Sequence, residues 1–187
     1  MIGLQLILCG FLFNSIEFSV LQYDIFPKVE NTLQMSNKIS IGDTIPSFTL
    51  LNQNGESVSS KDKIGNPLVI YFYPKDDTPG CTKEACSFRD QYDVFGEYGA
   101  EIIGISSDSP ASHLKFAKKY NLNFTLLSDE KGEVEKRFGV PRTVLGLISG
   151  RVTYIIDKNG VVVHIFNSLF NAEKHVEESL RIIKSLN

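Results

Sequence analysis

The side chains with the widest chemical repertoire in this chain are three cysteines, Cys9, Cys81 and Cys86, and three histidines, His113, His164 and His175. The histidines are too widely separated to supply metal-ligand spacing, and three thiols are too few and too odd for a secreted disulfide framework. Thiol chemistry is what remains. Cys81 follows a Thr78-Pro79-Gly80 turn, which itself follows a strongly apolar run, and good helix formers begin at Thr82. That order puts the sulfur at the first turn of a helix, where N–H groups lacking intrahelical acceptors and the positive dipole end stabilise a thiolate. Cys86 comes five residues later. On an intact helix that separation is a rise of about 7.5 Å and a turn of about 140°, with Cα atoms about 8–9 Å apart. A disulfide tolerates at most about 7 Å. The pair can close only if the first helical turn unwinds, so the spacing predicts a switch between a reduced, folded helix and an oxidised, locally unfolded one. It is not the two-residue spacing of a dithiol that closes without unwinding. The plainer alternative is a pair of structural thiols, Cys81 buried and inert and Cys86 facing the core.

Composition bounds what such a site can serve. The chain has 187 residues, 42% hydrophobic and 22% charged, with 19 basic against 22 acidic side chains for a net charge of −3. This is an ordinary globular balance and a length that suits one compact domain. No cluster of basic residues offers a footprint for nucleic acid or an anionic membrane. Residues 1–34 stand apart. Met1 to Phe13 is almost continuously apolar but shorter than a membrane span, and it lacks the basic start and small-residue cleavage site of a secretory signal. The expectation is an N-terminal extension over 1–34, either a targeting segment or sequence upstream of a native start at Met35, followed by a single domain over 35–187.

Within that domain strands and helices alternate. Ser47 to Leu51 reads as a strand turned back by Asn52-Gln53-Asn54-Gly55 into a small N-terminal hairpin. Pro67 to Tyr73 is a β-branched and aromatic run typical of a strand buried on both faces. A helix follows over Thr82 to Phe95, then a strand from Ala100 to Ser106 and a helix to Tyr120 capped by Ser109 with Pro110 at its first position. Phe124 to Leu127 reads as a strand and Glu130 to Phe138 as a short helix. Val152–Ile156 and Val161–Phe166 flank an Asn159-Gly160 turn and form a hairpin. Val176, Leu180, Ile183 and Leu186 line one face of a last helix. The order implies an α/β fold of thioredoxin-like topology, a mixed central sheet flanked by helices.

Pro74-Lys75-Asp76-Asp77-Thr78-Pro79-Gly80-Cys81 matches the P-x-x-x-T-x-x-C motif of peroxiredoxins, and Cys81-Thr82-Lys83-Glu84-Ala85-Cys86 resembles their Q-type subfamily, the bacterioferritin comigratory proteins, in its cyanobacterial and plastid flavour. The likeness runs from about Ile41 to Leu186, and Gly150 to Asp157 looks like the strand carrying the family's active-site arginine, here Arg151. The resemblance implies a thiol peroxidase acting on hydrogen peroxide and organic hydroperoxides in antioxidant defence. Cys81 is then the peroxidatic nucleophile, Thr78 orients the peroxide, Arg151 stabilises the thiolate and the developing oxyanion, and Pro74 shields the sulfur. Cys86 resolves the sulfenic acid as an intramolecular disulfide, and thioredoxin or a similar dithiol reduces it. No cofactor and no metal are implied. A monomer is expected, in the cytoplasm by preference, or in a plastid or thylakoid lumen if residues 1–34 act as a targeting segment.

Other residues invite plainer readings. Asp76 and Asp77 are adjacent turn acids expected in solvent. Arg89 and Arg142 rival Arg151, with Arg89 expected to face solvent or an acid. Asn123-Phe124-Thr125 fits a glycosylation sequon without an established secretory signal. Tyr71, Phe72 and Tyr73 read as core and pocket wall. Cys9 has no assigned role. The competing function is a binding module of the same fold, a redox-regulated chaperone, for which Thr78 and Arg151 would be superfluous.

Overall fold

The computed structural model of the chain describes residues 38–143, 146 and 148–186. The extension over 1–34, Cys9 and the expected start at Met35 lie outside them.

The strands are β1 (Thr49–Asn52), β2 (Ser57–Ser59), β3 (Leu68–Phe72), β4 (Glu101–Ser106), β5 (Thr125–Ser128), β6 (Arg142–Thr143), β7 (Ile148–Ser149), β8 (Val152–Ile156) and β9 (Val162–Asn167). The helices are α1 (Pro79–Asp90), α2 (Tyr92–Glu97), α3 (Pro110–Tyr120), α4 (Glu133–Phe138) and α5 (Ala172–Ser185). Seven strands form one mixed sheet in the order β2-β1-β5-β4-β3-β8-β9. β3, β4 and β5 run parallel, as their helical crossovers require, and the remaining pairs are antiparallel. This is the thioredoxin-like arrangement.

The period of two along β3 sorts its apolar run into two cores. Val69 and Tyr71, continued by Tyr73, pack with Cys81, Phe88, Phe95, Phe116, Val176 and Ile183, so α1, α2, α3 and α5 cover that face. Leu68, Ile70 and Phe72 point the other way, to Ile105, Val134, Phe138 and Tyr154. Full burial of each such side chain is worth about 1.5–3 kcal/mol, so both faces hold β3 at the sheet's centre. Gly104 of β4 lies opposite Tyr71 in the register. A Cβ there would fall 2.7 Å from the Tyr71 ring, so glycine is what lets the tyrosine lie across the neighbouring strand.

Two expectations need correction, one about the helix after Cys81 and one about Leu186. The helix expected to run from Thr82 to Phe95 starts earlier and is two helices, broken at Gln91, whose ψ of 5° leaves the helical region and whose amide bonds back to Phe88 at 3.3 Å. No proline or glycine marks the break. The expected N-terminal hairpin is present as β1 and β2, and β1 also pairs with β5, which joins it to the main sheet. Residues between Pro141 and Ser149 add the two-stranded β6–β7 pair. Leu186 caps α5 and is exposed, so the apolar stripe of that helix ends at Ile183. Among the described residues no helix is long and apolar enough to cross a membrane.

Candidate active site

Helix α1 begins where β3 leaves the sheet. Thr78 is its N-cap in extended conformation and Pro79 its first residue, a position where the missing N–H is no loss. The first helical bond runs from the Thr82 amide to the Thr78 carbonyl at 2.8 Å, so the amides of Gly80 and Cys81 have no intrahelical acceptor. Cys81 thus occupies the first turn, as its spacing predicted, with a relative exposure of 2%. The Thr78 hydroxyl does not cap the helix. It donates back to the Lys75 carbonyl at 3.1 Å, which leaves its lone pairs uncommitted. Pro74 and Thr78 together line a cleft of about 730 Å³ beside Lys75, Lys131, Arg142 and Ser149.

Arg151, at the entry to β8, reaches this turn from 70 residues away. Its Nη2 donates to Cys81 Sγ at 3.4 Å, its Nη1 to the Glu84 carboxylate, and its Nε to the Leu169 carbonyl at 3.1 Å. Burial works against the guanidinium's charge, but Glu84 and Cys81 more than offset it, so its pKa lies above the ordinary value. Gly80 accommodates the approach. A Cβ at that position would lie 3.1 Å from Nη2.

Glu84 was not singled out in the sequence, yet it is wholly buried and is Arg151's counter-charge. The signal was its position three residues after Cys81, which puts both side chains on one helical face. Burial pushes its carboxyl up to about 8, with the Arg151 guanidinium pulling in the opposite direction. Its second oxygen, Oε1, has no hydrogen-bond partner among the described residues and lies 3.6 Å from His175 Nδ1. His175 is buried too, its Nε2 donating to the Ser168 carbonyl at 2.8 Å while Nδ1 takes the Thr153 hydroxyl at 2.7 Å. Burial lowers its pKa to about 4, opposed by the Ser168 bond and reinforced by Arg151, so the imidazole is neutral near pH 7.

Both Cys81 and Cys86 are free thiols, and α1 is intact across them. Cys86 is half-buried. Its neighbour three residues on, Arg89, donates to Asp90 at 2.6 and 2.8 Å and to the Tyr120 carbonyl at 2.6 Å. Asp90 chiefly raises the Arg89 pKa, with the Cys86 sulfur adding to it, which agrees with the expectation that Arg89 faces an acid. Arg142 pairs with Glu135 at 2.9 Å and lines the cleft with Pro74 and Thr78, but Arg151 is the arginine on the sulfur. Tyr71, Phe72 and Tyr73 are core, each 1% exposed.

One expectation about the loop is wrong. Asp76 is not solvated but buried, accepting from the hydroxyls of Tyr73 and Ser112 at 2.7 Å each and facing His113 Nδ1 at 2.9 Å. Asp77 is the solvent-side acid of the two, held by Lys119 at 2.6 Å and by the Tyr120 hydroxyl at 2.5 Å. No group of three metal-ligating side chains occurs among the described residues.

Comparison with known proteins matches this arrangement. The model of the AhpC/TSA family covers residues 41–165. The chloroplastic peroxiredoxin Q of Oryza sativa subsp. japonica is 55% identical over 149 residues, 80% of this chain and 69% of that protein. That of Populus jackii is 51% identical over 158 residues, 84% and 73% of the two chains. Among solved structures, peroxidoxin BcpB from Mycobacterium tuberculosis superposes with a TM-score of 0.75 at 36% identity, covering 80% of this chain and 99% of its own. The bacterioferritin comigratory protein of Xanthomonas campestris, in a structure described for its alkyl peroxide reduction activity, gives a TM-score of 0.67 at 30% identity over 74% and 90%. A thiol in the first turn of α1, an arginine on its sulfur and a thioredoxin-like sheet behind them thus coincide with these similarities, and the chain belongs to the AhpC/TSA family as a peroxidase of the Q-type peroxiredoxins.

Proposed function

We propose that Cys81 is the peroxidatic nucleophile, that Cys86 resolves it, and that thioredoxin recycles the pair. The observation that carries this reading is the Arg151 guanidinium 3.4 Å from a sulfur set in the first turn of α1. The Cys81 thiolate attacks one oxygen of a hydroperoxide; an S–O bond forms, the O–O bond breaks, and two electrons pass from sulfur to the peroxide. The departing alkoxide or hydroxide leaves against Arg151 and the unpaired amides of the turn and takes a proton from solvent. Thr78, its hydrogen given to the Lys75 carbonyl, accepts the hydrogen of the bound peroxide and orients it, while Pro74 covers the site.

The sulfenic acid left on Cys81 then condenses with the Cys86 thiol, forming an S–S bond and releasing water. Because both thiols sit on one helix, closure requires the first turn of α1 to unwind but no partner subunit, in keeping with a working monomer. Thioredoxin attacks the disulfide through a mixed intermediate and restores both thiols. Substrates are hydrogen peroxide and organic hydroperoxides. The chloroplastic relatives favour a plastid setting over the cytoplasmic one that the resemblance first implied.

The test is peroxide consumption by the full chain with thioredoxin and its reductase, beside Cys81→Ser and Cys86→Ser. Activity is expected to vanish in the first, while the second oxidises once per chain and loses thioredoxin-supported turnover. Absence of peroxide-dependent oxidation at Cys81 in the wild-type chain would overturn the reading.

A further inference from the structure

We propose that Asp76 and His113 are positioning residues for the peroxide step, a buried carboxylate–imidazole pair that pins the loop carrying Thr78 to helix α3; the inference rests on the peroxidase reading above. The loop from Pro74 to Thr78 has no regular structure, and Asp77 within it adopts a left-handed φ of 57° with its carboxylate held by Lys119 and Tyr120. Asp76 anchors the loop from the buried side. Its carboxylate accepts from Tyr73 at the end of β3 and from Ser112 on α3, and its amide donates to Asp108 Oδ2 at 2.8 Å. Asp108 is itself held by the Ser106 hydroxyl at 2.7 Å.

His113 completes the clamp. Its Nε2 lies 3.2 Å from the Leu127 carbonyl, an atom that can only accept, so that nitrogen carries hydrogen. Nδ1 faces Asp76 Oδ2 at 2.9 Å and the Tyr73 hydroxyl at 3.3 Å. His113 is fully buried beside an apolar cluster that includes Tyr73 and Phe116. An ionisable pair is an expensive way to fill such a space, and hydrophobic side chains of like volume would stabilise the fold at least as well. What the pair adds is direction. Asp76 stands two residues before Thr78 and one after Lys75, whose carbonyl takes the Thr78 hydrogen, so a shift of Asp76 displaces the hydroxyl and its acceptor together. Neither Asp76 nor His113 bonds to Cys81 or Arg151.

Two reactions of the same sulfur separate positioning from simple structure. Alkylation by iodoacetamide needs only an accessible thiolate, whereas peroxide also needs Thr78 in place. In the full chain, Asp76→Asn is expected to slow Cys81 oxidation by hydrogen peroxide by about tenfold or more while alkylation of Cys81 changes by less than about twofold, as misplacement by a fraction of an ångström would do. Ser112→Ala, which removes one hydrogen bond and no charge, gives a smaller shift in the same ratio and serves if Asp76→Asn does not fold. Equal changes in both rates, or none in either, would overturn the inference while leaving the peroxidase reading intact. A wild-type Cys81 that peroxide does not oxidise would overturn both.

Discussion

The guanidinium of Arg151 bridges Cys81 and Glu84, donating to the sulfur at 3.4 Å through one nitrogen and to the carboxyl through another, so a single side chain couples the Cys81 thiol to a fully buried acid. Any change at one of the three is felt by the other two.

Replacing Arg151 by Met removes the donor to the sulfur and leaves the buried Glu84 carboxyl without its hydrogen-bond partner. Peroxide consumption is expected to fall by about 100-fold, near 2.7 kcal/mol, and folding stability by about 1–3 kcal/mol. Arg151→Lys recovers part of the stability and little of the rate, because one ammonium cannot serve Cys81, Glu84 and the Leu169 carbonyl at once. Steady-state kinetics and urea denaturation check the two halves.

Stability has a pH signature. Glu84 stands at about 8 in the folded chain against an ordinary 4.5, so the folded state holds the extra proton and stability is lost as pH rises from 4.5 through 8. His175 stands at about 4 against 6.5, so its contribution is present above 6.5 and lost as pH falls toward 4. The two oppose each other between 4.5 and 6.5, and Glu84 acts alone above that. Thermal melts of the wild-type chain should therefore decline between pH 6.5 and 8, and the decline should flatten in Glu84→Gln.

Gly80→Ala sets helix propensity against site geometry. The added methyl favours α1 by up to about 1 kcal/mol, yet it meets Arg151 Nη2 and moves the guanidinium off the sulfur. The expected outcome is an unchanged or slightly higher melting temperature together with a peroxide rate lowered about tenfold, in line with displacement of a preorganised donor. A lower melting temperature with a full rate would contradict it.

Phe88 holds the lower half of α1 in place. Its ring lies 4.7 Å from Tyr71, 5.9 Å from Phe95 and 6.5 Å from Phe124, and it is wholly buried. Phe88→Ala should destabilise the reduced chain by about 3–5 kcal/mol in urea unfolding.

Much of this site could be read along the chain, and the reasons differ residue by residue. Pro74, Thr78 and Cys81 lie in one contiguous stretch, and the strand periodicity around them announced the turn into α1. Arg151 could be placed near Cys81 only through the family motif, since nothing local links residues 70 apart. Glu84 was legible from helical spacing but passed over, because an acid in a helix ordinarily faces water. Asp76 misled for a similar reason: turn acids are usually solvated, and the partner that buries it, His113, is 37 residues away on another element. The break at Gln91 left no mark in the sequence, because neither proline nor glycine stands between α1 and α2.

Tyr120 grips α1 from both sides, its hydroxyl taking Asp77 before the helix and its carbonyl taking Arg89 near the end. If the first turn unwinds, the freed stretch is then not a loose chain but a short loop tethered at both ends. A tether this short keeps one sulfur within the small volume swept by the other, so the local concentration of thiol is set by polymer geometry and barely by the medium. The same restraint keeps the excursion brief, since the ends never part and the helix can wind back from either of them.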